Sequence, residues 1–268
     1  MKPLVRVFVA GTLALLFIQP PAGFGQWNKK PYTEWSEKEA TKVLNDSPWG
    51  QTHTFTDTSR QSSTQTTGTT PTTAIAEVVN VNFRVRLLSA RVTRQAFVRM
   101  IELQQKGKLP EQVAARMKAF ASADFPDYIV VAVTVDSDKP SNMLQQANSL
   151  LYKLTTNELK NNTYLVTDNG KRLFLKEYQP PAKDGMGARF IFQRLLDGEP
   201  FISEKSGEIG FHTDLSGGSS LDGTIANTAI PNREHVSGTA NRTASSFGFT
   251  IKTRYKVKEM LFDGKLDY

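Results

Sequence analysis

Tyr128-Ile-Val-Val-Ala-Val-Thr-Val135 is apolar at nearly every position and rich in β-branched residues. The alternation that marks a strand with one wet face is missing, so this run is expected to be buried on both faces, in a sheet covered by helices. Phe125-Pro126-Asp127 before it and Asp136-Ser137-Asp138-Lys139-Pro140 after it punctuate it as one central strand.

On the N-terminal side of that strand, Val79 to Leu88 sets Val79, Val81, Phe83, Val85 and Leu87 against Asn80, Asn82, Arg84 and Arg86. This is the period of a strand with one solvated face. A helix is predicted from about residue 93 to 106, with Ala96, Phe97, Met100, Ile101 and Leu103 inward and Gly107 as its stop. Pro110 opens a second helix, whose Val113, Met117 and Phe120 spacing is that of a core face rather than a cofactor box. The two helices form a hairpin leading into the central strand.

On the C-terminal side, Ser141 caps a third helix carrying Leu144, Ala147, Leu151 and Leu154 through to about Thr155. Beyond it the chain reads as β. Asp168-Asn169-Gly170 joins Thr163–Thr167 to Lys171–Lys176, and Asn-Gly between two such runs is a strong hairpin signal. Further strands are predicted at 188–194, 209–214 and 247–257, with a late turn at Asp263-Gly264. The fold class expected for residues 74–268 is α+β: a mainly antiparallel, sandwich-like sheet domain with three helices. A domain of this length buries roughly 70% of its unfolded surface, enough for one substantial core.

Ahead of that domain stand a short helix and a polar linker. Lys2 and Arg6, the apolar run Val7 to Ile18 and the small residues Gly23 and Gly25 have the pattern of a cleavable signal peptide over residues 1–25. A membrane-spanning helix needs roughly 20 apolar residues, more than this run supplies. The expected location is therefore secreted or periplasmic, with no membrane span after cleavage. Residues 26–56 read as an arm. Ser36 is an N-cap with Glu39 three residues on, a capping box, and the helix it starts stops before Asn45-Asp46-Ser47-Pro48. Trp35, Val43, Leu44 and Trp49 form a candidate docking face on it. Residues 57–73 contain eleven Ser or Thr and read as a linker. Residues 216–246 are rich in Gly, Ser, Thr and Asn and read as a long flexible loop.

The segment Trp35-Ser-Glu-Lys-Glu-Ala-Thr-Lys-Val-Leu-Asn-Asp-Ser-Pro-Trp49, together with the ending Lys256-Val-Lys-Glu-Met-Leu-Phe-Asp-Gly-Lys-Leu-Asp-Tyr268, resembles a family of exported bacterial proteins of uncharacterised activity. The resemblance implies a bacterial secreted protein. It covers the two ends most specifically and supplies no catalytic residue.

With no cysteine, a disulfide framework, a lipid-modified cysteine and a thiol nucleophile are all excluded. His53, His212 and His235 lack zinc-ligand spacing, and no HExxH, G-x-S-x-G, P-loop or G-x-G-x-x-G occurs. No cofactor or metal is expected. A convergence of His212 and Asp214 with Glu234-His235 is the one acid-base candidate, set against exposed polar residues at a strand end. The leading expectation is a non-enzymatic binding or structural module; an extracytoplasmic hydrolase without a recognisable motif is the alternative.

Charge gives a further candidate. The net charge of +7 falls to +5 once Lys2 and Arg6 are set aside with the signal segment. In the last long strand Lys252, Arg254 and Lys256 alternate with apolar residues and Lys258 follows, while Arg84 and Arg86 lie on the wet face of the first. If those strands are neighbours, the cations merge into a patch for an anionic envelope polymer. The same residues also serve to keep a sheet from aggregating. Aromatic interleaving is missing from both strands, which disfavours nucleic acid. The remaining partner class is another exported protein, docked on the Trp-flanked arm.

Overall fold

The computed structural model describes residues 29–57, 78–106, 108–216 and 248–268. The expected signal segment over residues 1–25, the expected 57–73 linker apart from Asp57, and the expected 216–246 loop apart from Ser216 lie outside the described residues. The chain is an α+β fold, with antiparallel sheets and, among the described residues, five α-helices.

Helix α1 (Glu37–Asn45) begins at the capping box. The Glu39 amide donates to Ser36 Oγ, and the Glu39 carboxylate accepts from the Ser36 amide at 2.8 Å and the Ser36 hydroxyl at 2.7 Å. Lys30 adds an ion pair to that carboxylate at 2.9 Å. The chain then enters β1 (Gly50–Asp57), a strand the sequence reading does not contain. It pairs along its whole length with β2 (Val79–Leu87), from Gly50–Arg86 to Asp57–Val79, so residues 37–57 run directly into the main sheet.

Helix α2 (Arg91–Gln104) starts two residues earlier than predicted, for a reason invisible locally. Its N-cap, Ala90, has no side chain to donate to. The Asp267 carboxylate instead accepts from the amides of Arg91 (2.8 Å) and Val92 (2.9 Å), placing a negative charge at the positive end of the helix. Helix α3 (Glu111–Ser122) follows Pro110 and leads to β3 (Tyr128–Ser137). Ile129 to Val133 are buried on both faces, as the unbroken apolar run requires, whereas Thr134 and beyond are partly open.

After α4 (Asn142–Lys153) and the single turn α5 (Thr156–Leu159) come β4 (Tyr164–Thr167), β5 (Arg172–Phe174), β6 (Glu177–Gln179) and β7 (Ala188–Gln193). The tight hairpin β8 (Leu195–Leu196) and β9 (Glu199–Pro200) precedes the long strands β10 (Glu208–Ser216) and β11 (Gly248–Lys256). A last hairpin, β12 (Leu261–Phe262) and β13 (Lys265–Leu266), turns at Asp263-Gly264. One sheet has the order β1-β2-β3-β7-β6 and the other β11-β10-β4-β5, antiparallel throughout.

The two sheets pack face to face through aromatic rings: Phe83 against Phe249 at 4.9 Å and Phe190 against Phe211 at 5.4 Å between centroids. Tyr255 spans the layer and its hydroxyl donates to the Val85 carbonyl. Along one side the edges β1 and β11 are joined by side chains. The Gln51 carboxamide both donates to the Arg254 carbonyl and accepts from the Arg254 amide, standing in for a strand, and His53 Nδ1 lies 3.1 Å from the Lys252 carbonyl. Along the other side the chain passes from β5 through Leu175 and Lys176 into β6.

On the outer face of the five-stranded sheet, α1 packs over β1 and β2 and against α2, and Trp35, Val43 and Leu44 are buried. Trp49, level with the inward-facing Leu87, is buried edge-on against Phe262 of the last hairpin at 6.5 Å. Trp49 Nε1 donates to the Asp267 carbonyl at 2.7 Å. Arg94 is 1% exposed and donates to the carbonyls of Leu88, Ser89, Phe120 and Ala123 while stacking over Phe125. No helix among the described residues is long and apolar enough to cross a membrane.

Candidate functional site

The outer face of the four-stranded sheet carries the cations picked out in the last strand. Ile209, Phe211, Thr213 and Leu215 of β10, and Phe249, Ile251, Thr253 and Tyr255 of β11, point into the sandwich. Their neighbours therefore point out. Register then builds two rows across all four strands. One runs Lys252, His212, Tyr164, Phe174, the other Arg254, Gly210, Val166, Arg172. Lys256 stands opposite Glu208 and Thr250 opposite Asp214.

The first row is aromatic in its middle. His212 stacks nearly parallel on Tyr164 at 4.7 Å, Phe174 tilts against the same ring at 5.7 Å, and the Arg172 guanidinium lies 4.5 Å from its centroid. Both the cation and the imidazole thus pack against the Tyr164 ring. Phe174 is 49% exposed. Arg172, Lys252, Arg254 and Lys256 are opposed on this face by the carboxylates Glu208 and Asp214. Arg254 is 3.7 Å from Glu208, and Lys256 reaches Glu259 at 3.5 Å. Burial and then the neighbouring Lys252 hold the His212 imidazole below its usual pKa; Arg172 adds to this and Asp214 opposes it.

The remaining cations go elsewhere. Lys258 lies in the 3-10 turn Val257–Glu259, past the end of β11. Arg84 and Arg86 sit on the outer face of the other sheet, and β1 separates their strand from β11. The two groups of cations do not merge. Arg84 pairs with Asp136 at 2.8 Å and donates to Thr52 Oγ1. Burial raises the Asp136 pKa, but the Arg84 hydrogen bonds outweigh it and the net shift is downward. Arg86, expected on a wet face, is buried: α1 covers it, and the guanidinium donates to Leu44 O, Asn45 Oδ1 and Thr134 Oγ1. Burial lowers its pKa to about 10.

His212 and Asp214 share the open face, but Glu234 and His235 lie outside the described residues. Among the described residues no three His, Asp or Glu gather as a metal site.

A pocket of about 480 Å³ opens where the β5–β6 crossover meets the start of β3. It is lined by Asp127, Tyr128, Lys176, Gln193, Leu195 and Asp197, with Pro126 and Gly198 at its rim. Lys176 Nζ lies 3.2 Å from the Tyr128 hydroxyl and 4.6 Å from the ring centroid. Sequence reasoning missed this site because its residues come from three separate segments, 126–128, Lys176 and 193–198, each of which reads as ordinary turn or strand-end chemistry.

Comparison with known proteins adds no family to this geometry. No family model, curated protein or solved structure matches the chain. The functional reading therefore rests on the two surfaces just described.

Proposed function

We propose that this chain is a non-enzymatic binding module that holds an anionic polymer on the outer face of its four-stranded sheet. The observation that carries the reading is the in-register placement of Lys252, Arg254 and Lys256 with Arg172 and His212 on one open face, four permanent cations against the carboxylates of Glu208 and Asp214 on the face and of Glu259 at its end. An extended, slightly twisted sheet face suits a linear ligand lying across strands, attracted by screened charge. Nucleic acid is the less favoured partner on this face, because His212 and Arg172 already pack against the Tyr164 ring, leaving Phe174 as the exposed ring of the row on which a base could stack. Export to the periplasm or beyond, in a bacterium, belongs to the same proposal and is supported by the residue 1–25 pattern and the resemblance of the Trp35–Trp49 segment. The polymer is then one met outside the cytoplasm, a component of the cell envelope.

The test is retention of the purified chain on immobilised polyphosphate over a salt gradient. Screening falls from a Debye length of about 10 Å at 0.1 M to about 3 Å at 1 M, so retention should be lost across that interval. Replacing Lys252, Arg254 and Lys256 together by Glu should abolish it at every salt concentration. Unchanged retention of that triple variant, with an unaltered thermal unfolding curve, refutes the proposal.

A further inference from the structure

The pocket beside the β5–β6 crossover has a chemistry unlike that of the basic face, and the two are joined. Arg172, Phe174 and Lys176 are exposed while the intervening Leu173 and Leu175 are buried, so these three side chains leave the strand on one side. Lys176 follows Phe174 by two residues, past the end of β5 and with its amide on the Ile191 carbonyl of the other sheet, and its side chain forms one wall of the pocket. Its volume of about 480 Å³ falls within the roughly 300–1,000 Å³ of small-molecule sites.

The lining is rich in hydrogen-bonding groups of both senses. Asp127 and Asp197 offer carboxylates, Gln193 a carboxamide, Tyr128 a phenol and Lys176 an amine. Tyr128 and Leu195, 37% and 50% exposed, add apolar surface. The charges nearly cancel, because Lys176 and Lys171 stand against Asp127 and Asp197, with Lys171 3.9 Å from Asp197. A free anion gains little here. Lys176 occupies one face of the Tyr128 ring, so a planar aromatic guest finds no open platform on that side. A polyhydroxylated ring fits better: its hydroxyls both donate and accept, and its C–H face rests on Leu195 and the Tyr128 edge.

The rim is built to hold shape. Asp197 and Gly198 both have positive φ, 57° and 84°, as the two-residue turn of β8–β9 requires. The Arg194 amide fixes the Asp127 carbonyl at 2.9 Å, and the Phe201 amide closes the hairpin on the Arg194 carbonyl.

We infer that this pocket binds one neutral sugar unit, and that the polymer held by the basic face is therefore a glycan carrying acidic groups. The inference rests on the preceding reading for the polymer, but the sugar site has a test of its own. The full chain is titrated with two probes of equal charge: polyphosphate, and a linear glycan that alternates uronate with N-acetylhexosamine. The intact chain should bind the glycan at least about tenfold more tightly. Y128A, Q193A and L195S should each remove that preference and leave polyphosphate binding unchanged. The Glu triple variant of the face should lose both probes. Saturation-transfer NMR with N-acetylhexosamine alone reads the pocket without the face, and Y128A should extinguish the signal. Equal affinity for the two probes, or a preference that survives both Q193A and L195S at exposed positions, overturns the sugar inference while leaving the basic face standing. Loss of polyphosphate binding in the intact chain sinks the face reading, and the monosaccharide signal then decides the pocket by itself.

Discussion

Replacing Arg94 by Met keeps the volume of the side chain and removes its hydrogen bonds. The guanidinium is 1% exposed and serves four carbonyls, those of Leu88, Ser89, Phe120 and Ala123. These tie the start of α2 to the end of α3. A hydrogen bond from a charged donor contributes about 1.5–3 kcal/mol, so four are worth roughly 6–12 kcal/mol gross. Against this stands the cost of burying the cation, several kcal/mol, the same burial that lowers the Arg94 pKa to about 10. The net loss expected on breaking such a buried network is about 3–5 kcal/mol. At about 2–4 °C per kcal/mol for a chain of this size, the midpoint should fall by roughly 6–20 °C in thermal unfolding followed by circular dichroism. Arg94→Lys keeps the charge but not the fork, and should recover less than half of the loss. A Met variant within about 1 kcal/mol of the parent would show that the carbonyls do not depend on the guanidinium, and the account of this junction would be wrong.

Asp267→Ala removes the remote cap of α2 and should cost about 0.5–2 kcal/mol in urea unfolding, with Asp267→Asn intermediate; no change in either variant would show that the cap contributes nothing. The Lys30 and Ser36 hydrogen bonds lower the Glu39 pKa to about 2, below an unfolded value of about 4.3. Its stabilisation is therefore complete above that unfolded value and disappears as pH falls toward 2, so Glu39→Gln should flatten the acid limb of a stability–pH curve. The His212 pKa is likewise lowered in the folded chain, so stability is retained above about 6.5 and declines as pH falls below it. A polyanion bound on the face should move the His212 NMR titration upward, and a titration unmoved at saturation would place the ligand elsewhere.

The sequence carried most of the elements because their apolar spacing is local. Residues 79–87 and 248–256 alternate cleanly, and the expected β4–β5 hairpin is present, turned by the three residues Asp168-Asn169-Gly170 with Gly170 alone of them at positive φ. Strand β1 escaped notice because Gly-Gln-Thr-His-Thr-Phe-Thr-Asp has a single large apolar residue. Its inward Gln51 and His53 are satisfied by the backbone of β11, a partner 199 or more residues away, rather than by a core. The cations of β11 were legible from their alternation. Tyr164, Phe174, Arg172 and His212 were not legible as their neighbours, since only strand pairing sets them in one row. Arg86 shares the period of Arg84 yet is buried, because the position of α1 over the sheet, not the strand pattern, decides which of two outward residues meets water.

The cap of α2 also sets an order of events. Asp267 lies 175 residues beyond Val92, and its carbonyl is the acceptor for the Trp49 indole. At about 5–20 residues per second, a ribosome needs roughly 9–35 s to pass from one to the other. During that interval α2 has helical sequence but an uncapped N-terminus, and Trp49 has no acceptor for its ring N–H. Neither the cap of α2 nor the acceptor of the Trp49 indole can be in place before the segment around Asp267 has been made, so two distant parts of the fold are completed by the same late residue.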